Sequence, residues 1–401
     1  MAINPPSSYH CRLMDASLYA NLQKMRASAR SLVRSVPPAE RRRMHHKDLS
    51  PLLWHLGHLL YVEQQWIGER LAGLGHDAGR ARLFRPDGLR KSERGACTPD
   101  LGELTHEWAD WEGQCVEWLS VAESAHPHHP LLAGDFILHF LIQHHGQHLE
   151  TMHQALTARA LALDTGDFLP SRPLVAEASS ADYHTWPGGL CEIGDDSPHH
   201  YDNERPRHIV SVPAFAIAER PVSNAAYLGF MEAGGYHDDR YWTCEARRWR
   251  ESAGAEAPWH WRCNRHGSWY GVDHSGAFEL SATAPVAGLS AYEARAFARY
   301  ARARLPHEVE WELGVRMGFL RDTGQVWEWC DNRFYPYPGF RAFPYRGYSM
   351  PWFDGAHTSL RGASIISDAS IKRPSFRNFH TADKRHISAG IRLCRPPYPL
   401  H

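Results

Sequence analysis

Leu141 to Glu150 reads LIQHHGQHLE. The segment carries His144 and His148 four residues apart, followed by Glu150, inside an apolar periodic stretch from about Leu132 to Leu161. In an α-helix of about 3.6 residues per turn, positions i and i+4 share a face, so these two imidazoles are spaced to grip one metal ion. Two ligands do not make a site. A third candidate lies upstream in Trp54-His55-Leu56-Gly57-His58, itself strongly apolar, so two neighbouring helices would complete a three-histidine face through His58 or His55. Neutral nitrogen ligands suit zinc, iron, copper and nickel. Spacing alone does not separate this from ordinary packed histidines, because the chain holds 28 of them.

Working outward, residues from about Ser17 to Val36 show helical spacing that Pro37-Pro38 stops. A second helix opens at Ser50-Pro51, with Ser as cap and Pro in the first turn, and carries LLWHLGHLLYVEQQWIGERL. A third runs from about Asp100 to Ala122 with Trp108, Trp111 and Trp118 along it; Pro127 to Pro130 then breaks the chain before the histidine helix. Between the second and third lies an Arg-rich connection, Arg80 to Arg94, with Arg82, Arg85, Arg90 and Lys91, in which Pro86-Asp87-Gly88 reads as a turn rather than a helix. Four long helices joined by polar connections predict a four-helix bundle, a scaffold that builds metal sites from facing helices.

The texture changes after Thr165. Pro170, Pro173 and the small, polar run Glu177 to Asp182 read as a linker. From Trp186 onward Gly, Pro and aromatics are frequent and apolar runs are short. Helical periodicity survives only at Val222 to Ala233 and Ser290 to Arg304. With 401 residues the expectation is an α+β chain of two domains, a helical bundle over 1–175 and a mixed domain over 183–398. No phosphate loop, dinucleotide fingerprint or nucleophile elbow is found.

An apolar content of 43% is ample for two cores, and a formal net charge of −1 gives no global field for attracting nucleic acid or an anionic membrane. Small-molecule partners are expected instead. The first twenty residues lack a basic start followed by an apolar core, and no run of about eighteen apolar residues occurs, which predicts a soluble, unexported, cytoplasmic protein. The eight cysteines (11, 97, 115, 191, 244, 263, 330 and 394) form no C-x-x-C pair and read as reduced structural thiols.

The residues also resemble a known family. Asn203-Glu204-Arg205-Pro206-Arg207-His208, Pro221-Val222-Ser223-Asn224-Ala225-Ala226-Tyr227, Leu289 to Ala294, Arg304 to Glu312, Gly324 to Trp329 and Gly390-Ile391-Arg392-Leu393 occur in the order seen in formylglycine-generating-enzyme-like domains, which have a C-type-lectin-like fold. The first half looks like a DinB-type helical bundle. The fusion of the two resembles the nonheme iron sulfoxide synthases of ergothioneine and ovothiol biosynthesis, whose iron motif is H-x3-H-x-E plus one earlier His. The resemblance implies ferrous iron held by His58, His144 and His148, with O2 as co-substrate. It favours His58 over His55. Glu150, two residues past His148, points away from the ligand face, so a supporting role is expected of it. His145 and His153 read as packing or surface residues.

The same resemblance assigns the second half. Phe334 to Met350 reads FYPYPGFRAFPYRGYSM, similar to the synthase segment with two tyrosines at i and i+3; counting back from Leu360-Arg361-Gly362-Ala363-Ser364 places the pair at Tyr345 and Tyr348. The resemblance makes Tyr345 the donor of a proton and an electron, a role that suits a phenol, and Tyr348 a lining residue. The competing reading is an aromatic loop that merely packs, in a chain with 16 tyrosines. Phe376-Arg377-Asn378-Phe379-His380 is similar to Phe-Arg-Asn-Trp-Asp. That similarity implies that Asn378, with Gln147, binds the carboxylate of the histidine substrate, and that Phe379 gives an aromatic wall for a trimethylammonium group. His380 stands where many of these synthases have Asp on the sulfur-donor side, which opens the choice of donor. Arg90 and Arg94 are expected to fork the donor's carboxylates.

The leading expectation is therefore oxygen-dependent joining of a thiol to the imidazole carbon of hercynine (trimethylhistidine) or histidine. The alternative is a selenoneine synthase coupling a selenosugar, since the loss of the acid at position 380 suits a donor without an ammonium. Formylglycine generation is disfavoured, because that chemistry needs paired reactive cysteines and Ile371 to Arg392 has none. A noncatalytic binding module is the remaining reading.

Overall fold

A computed structural model of the chain describes residues 15–126 and 128–397, so the N-terminal stretch with Cys11, the break at Pro127 and the last residue of the expected second domain lie outside the described residues. The chain divides into two compact units, the first ending at Met152 and the second beginning at His153.

Among the described residues the first unit holds three long helices and the first part of a fourth, which runs on past Met152. In α1 (Ala16–Arg34) the Asp15 carboxylate accepts the Ser17 N–H at 2.8 Å, and Leu22, Met25, Ala29 and Val33 make a buried stripe at helical spacing. Every residue of α2 (Leu52–Glu63) is buried, including the polar His55, His58 and Glu63 within its largely apolar run, and the helix continues into one π-helical stretch, Gln64–Glu69. Pro51 rather than Ser50 occupies its cap position, and the Ser50 hydroxyl accepts instead from Arg94. The Arg-rich connection has its turn at residues 86–88, where the sequence places it, and on either side two short helices that the sequence reading did not assign, α3 (Ala78–Phe84) and α4 (Lys91–Cys97). Each has only seven residues, too few to establish a period; α3 is announced by Asp77, which accepts from the Arg80 N–H at 2.9 Å. A reciprocal Asp100 and Glu103 capping box starts α5 (Leu101–Ala125). The last long helix, α6 (Phe136–Leu163), begins after Gly134 and Asp135, whose φ of 61° and 58° break the preceding turn.

The second unit holds short strands and four short helices. Strands β1 (Tyr183–Trp186), β2 (Gly189–Ile193), β3 (His208–Val212) and β4 (Phe215–Ala218) come first, followed by α7 (Asn224–Glu232) and α8 (Cys244–Ala253). Next are β5 (Trp261–Cys263), β6 (Trp269–Asp273), β7 (Gly276–Phe278), α9 (Ala291–Tyr300) and α10 (Glu308–Arg316). Strands β8 (Trp327–Arg333), β9 (His357–Arg361), β10 (Asn378–Thr381), β11 (Ala389–Gly390) and β12 (Cys394–Arg395) complete the unit. The largest sheet has the order β10-β9-β8-β11, with β11 parallel to β8; β1-β4-β12, β5-β6-β7 and the pair β2-β3 make the others. No helix among the described residues is long and apolar enough to cross a membrane.

Helices α7 and α9 fall where periodicity predicts them, whereas α8 and α10 were not expected. Only Ala246 of α8 is buried, so that helix shows no apolar stripe. In α10 the buried positions include Glu308, Glu310 and Glu312, each held by arginine: Arg377 on Glu308, Arg304 on Glu310, and Arg361 and Arg316 on Glu312. A helix face built from buried ion pairs reads as polar in sequence.

The chain between β8 and β9 carries the tyrosines. Arg377 lies over the rings of Phe334 and Tyr337 and donates to the Tyr335 carbonyl at 2.8 Å. Farther on, the buried Asp202 carboxylate accepts from the Phe343 N–H at 3.2 Å and from the Ser349 hydroxyl, which also receives the Asn203 amide at 3.0 Å.

Candidate metal centre

The Trp54-His55-Leu56-Gly57-His58 segment spans just over one turn of α2, and each of its residues has a definable task. Trp54 Nε1 donates to the Leu83 carbonyl at 2.8 Å, and His58 Nδ1 lies 2.6 Å from the next carbonyl, that of Phe84. Both acceptors sit at the C-terminal end of α3, where helix carbonyls lack partners within the helix. Gly57 leaves room for Phe84: a Cβ there would stand 2.2 Å from the phenyl ring. Leu56 is fully buried, and its carbonyl accepts from Trp108 Nε1 at 3.3 Å.

His58, His144 and His148 converge. One nitrogen from each lies within 4.8 Å of the others, and His58 Nε2 is 3.4 Å from His144 Nε2. Ring centroids are 5.2 Å apart for His58 and His144, and 4.5 Å for His148 with either partner. A carbonyl can only accept, so His58 Nδ1 carries the proton and its Nε2 presents a lone pair to the cluster. Burial lowers the His58 pKa to about 4 and holds those of His144 and His148 well below the ordinary imidazole value, with the neighbouring rings adding to the effect. All three rings are neutral at pH 7. Three neutral imidazoles with a nitrogen each directed at one point are a donor set for a borderline divalent metal.

His55, the alternative third ligand, faces elsewhere. Its Nδ1 meets His148 Nδ1 at 3.0 Å, so its hydrogen bond is made to the His148 ring. His145 is fully buried, 2.9 Å from Glu63, whose carboxylate also takes Arg26 Nε at 2.9 Å and Trp111 Nε1 at 2.8 Å; it packs rather than ligates. Arg26 and His145 hold the Glu63 carboxyl at about 2, against the effect of burial. Glu150 is buried, and Gln147 is half-buried one turn from His144.

The basic pair differs internally. Arg90 is exposed and bonded to Glu93 at 3.0 Å through Nε. Arg94 is 4% exposed; its guanidinium donates to Ser50, the Pro86 carbonyl and the Leu89 carbonyl and lies 4.0 Å over the Trp54 ring.

In the second unit Tyr345 is exposed, and Tyr348 stacks on Tyr201 with centroids 4.1 Å apart. Local desolvation, with the Asp202 carboxylate beside it, raises the Tyr345 phenol to about 12, so it carries its proton at pH 7. Asn378, Phe379 and His380 are consecutive on β10, opposite Leu360, Ser359 and Thr358 of β9. Strand alternation puts Asn378 and His380 on one face and Phe379 on the other, where it stacks on Phe334 at 4.3 Å and approaches Trp352 at 5.9 Å. His380 lies 6.2 Å from the His386 ring.

Sequence reasoning did not assign Trp54, Phe84, Asp202 or Ser349 to either site. The signal present for Trp54 is its i,i+4 relation to His58; the other three act through contacts distant in sequence. Seven cysteines among the described residues are free thiols.

A helical unit with three converging histidines, followed by a strand-rich unit, makes a two-domain protein with a candidate metal centre, and comparison with known proteins places it among oxygen-using oxidoreductases. Residues 21–152 match the DinB superfamily, and residues 175–323 and 317–397 match the sulfatase-modifying factor enzyme 1-like domain. The chain is similar to hercynine oxygenase of Mycobacterium tuberculosis, with 32% identity covering 86% of this chain and 91% of that protein. It is equally similar to hercynine oxygenase of Mycolicibacterium thermoresistibile, at 32% identity over 88% of this chain and 89% of that one. The formylglycine-generating enzyme of Streptomyces coelicolor is 31% identical but covers only 36% of this chain. The chain belongs to the hercynine oxygenase family.

Proposed function

We propose that this chain is an iron-dependent sulfoxide synthase that joins a thiol to the imidazole carbon of hercynine. The observation that carries the proposal is the convergence of His58, His144 and His148 as neutral rings, with the lone pair of His58 Nε2 fixed toward the cluster. These three residues would hold a ferrous ion, which would supply activation of O2 beside a thiol and an imidazole. The balance is closed: RSH and the imidazole C–H each give up one hydrogen, a C–S bond forms, one oxygen atom goes to sulfur, and the other leaves as water.

The chain's own groups do the rest. His58, His144 and His148 would hold the metal. Gln147 and Asn378 donate amide N–H groups to the substrate carboxylate without adding charge. Tyr345 delivers a proton and an electron from its phenol, which is protonated at working pH. Tyr348 lines the pocket from its stack on Tyr201. Phe379 lies on the opposite face of β10 from Asn378, stacked on Phe334, and is not assigned the trimethylammonium group; Arg90 is the exposed cation for a donor carboxylate. The bundle's share of the chain is residues 1–175 and the second domain's is 183–398, in a cytoplasmic enzyme.

One observation favours a second donor. His380, rather than an acid, shares the β10 face of Asn378. A neutral imidazole pairs with hydroxyls better than with an ammonium, so a selenosugar is the alternative donor, and the chain is then a selenoneine synthase.

The test is anaerobic loading with Fe(II), then oxygen and hercynine with cysteine, γ-glutamylcysteine or a selenosugar, read by mass spectrometry. Formation of a hercynine–donor adduct supports the reading and names the donor; no adduct with any of them overturns it. Faster consumption of γ-glutamylcysteine than of the other donors removes the argument from His380.

A further inference from the structure

Three of the five N–H groups of Arg94 are engaged within the protein, one on each nitrogen. Its Nη1 donates to the Ser50 hydroxyl at 2.5 Å, its Nη2 to the Pro86 carbonyl at 2.5 Å and its Nε to the Leu89 carbonyl at 3.4 Å. Arg94 is 4% exposed, so presenting its remaining N–H groups to a carboxylate would mean turning the guanidinium away from these acceptors, and a buried acceptor left unsatisfied is costly. Its planar face is engaged as well, with the guanidinium carbon 4.0 Å from the centroid of the Trp54 ring. Trp54 in turn stacks on His58, with centroids 4.9 Å apart and planes inclined by 12°.

The result is three flat groups in layers, guanidinium on indole on imidazole. The edges of the two rings are fixed as well: Trp54 Nε1 and His58 Nδ1 are bonded to the consecutive carbonyls of Leu83 and Phe84. Plane and edge together determine where His58 Nε2 points. An imidazole gives its lone pair along one direction in the ring plane, so what fixes that plane sets how well the nitrogen meets a metal.

We propose that Arg94 and Trp54 are positioning residues for the metal ligand His58, and that Arg94 acts through this stack rather than by binding the sulfur or selenium donor. The inference rests on the reading of His58, His144 and His148 as the metal site. Arg94 also ties the turn at residues 86–88 to the start of α2, so the segment carrying Arg90 is held on the same layered support. Lysine keeps the charge but has no plane to stack and one point donor in place of a fork, which makes Arg94→Lys the discriminating change.

The experiment measures Fe(II) affinity of the full chain by anaerobic competition with a chromophoric chelator, and donor KM under saturating Fe(II). Arg94→Lys and Trp54→Phe are each expected to weaken Fe(II) binding by about tenfold or more, the size typical of groups that orient metal-ligating histidines. Donor KM measured with the site full should stay within about twofold of wild type, and Arg90→Lys should leave Fe(II) affinity unchanged. A donor-binding Arg94 gives the reverse pattern, a raised KM with unaltered metal affinity, and that result overturns the proposal. Far-UV circular dichroism of the metal-free variants checks folding; if Arg94→Lys does not fold, Trp54→Phe, which keeps a smaller aromatic face and loses the N–H to Leu83, decides the matter. Wild-type Fe(II) affinity in a folded Trp54→Phe variant also overturns it. Failure of the underlying site is seen separately, as a wild-type chain that binds no Fe(II) or a His148→Ala variant that binds it equally well.

Discussion

His55 and His148 meet Nδ1 to Nδ1 at 3.0 Å, on α2 and α6 respectively. One of the two nitrogens must carry the proton. If His148 donates, its Nε2 is free to ligate and its ring is held in a single orientation by a neutral acceptor rather than by the carboxylate often found behind metal-bound imidazole. His55→Ala is therefore expected to weaken Fe(II) binding by about 10- to 100-fold while leaving His58, His144 and His148 in the chain. Chelator competition checks this, and an unchanged affinity removes His55 from the support of the site.

The pairing also shows what the sequence could and could not reveal. The i,i+4 spacing of His144 and His148 was legible because a helix converts it directly into a shared face. Choosing between His55 and His58 was not, since both lie on α2 and only the positions of Phe84 and His148 separate a metal-facing nitrogen from a supporting one. Similarly, Arg94 reads as a spare cation in an Arg-rich connection. Its burial follows from the acceptors at Ser50, Pro86 and Leu89, which converge only once α3 and α4 have formed. The glutamates of α10 were hidden for a related reason: their arginine partners lie up to 69 residues away.

Gly57 is explained by a contact rather than by its backbone, which is helical. A methyl group there meets the fully buried Phe84 ring at 2.2 Å, and the Phe84 carbonyl is what holds His58 Nδ1. Gly57→Ala should cost about 1–3 kcal/mol of stability by overpacking. It should also lower Fe(II) affinity through the displaced carbonyl. Chemical denaturation together with metal titration measures the two effects, and a variant with wild-type values for both contradicts the close approach.

Glu308 offers a pH test away from the histidines. Its carboxylate takes Arg377 Nε at 2.8 Å and Nη2 at 2.7 Å, and the neighbouring guanidinium holds its pKa at about 2, against the effect of burial. A carboxyl whose folded pKa lies below its unfolded value stabilises the fold above the unfolded value, near 4.5, and that contribution is lost as pH falls toward 2. Glu308→Gln leaves Arg377 buried without its counter-charge and should cost about 3–5 kcal/mol at pH 7. The difference from wild type should shrink between pH 4.5 and 2, the window set by the two values. Denaturation curves across this range check it, and a pH-independent difference rules out the charge pair as the cause.

The tyrosine segment is held at two places by one carboxylate, since Asp202 accepts from the Phe343 backbone and from the Ser349 hydroxyl on either side of Tyr345. Removing the Tyr345 hydroxyl and loosening its support should therefore have different consequences. Tyr345→Phe keeps the ring and the loop, so hercynine binding should persist while formation of the carbon–chalcogen bond falls by about 100-fold or more, the scale of a lost proton donor. Simple oxidation of the donor is the expected diversion. Ser349→Ala leaves the phenol intact and removes one of the Asp202 contacts, so a partial loss of coupling with the same product is expected, together with increased proteolytic sensitivity of the loop. Product ratios by mass spectrometry, with substrate affinity measured in parallel, distinguish the two. Unchanged adduct yield in Tyr345→Phe removes this phenol from the mechanism and passes the role to Tyr348, whose stacking on Tyr201 fixes it in the same loop.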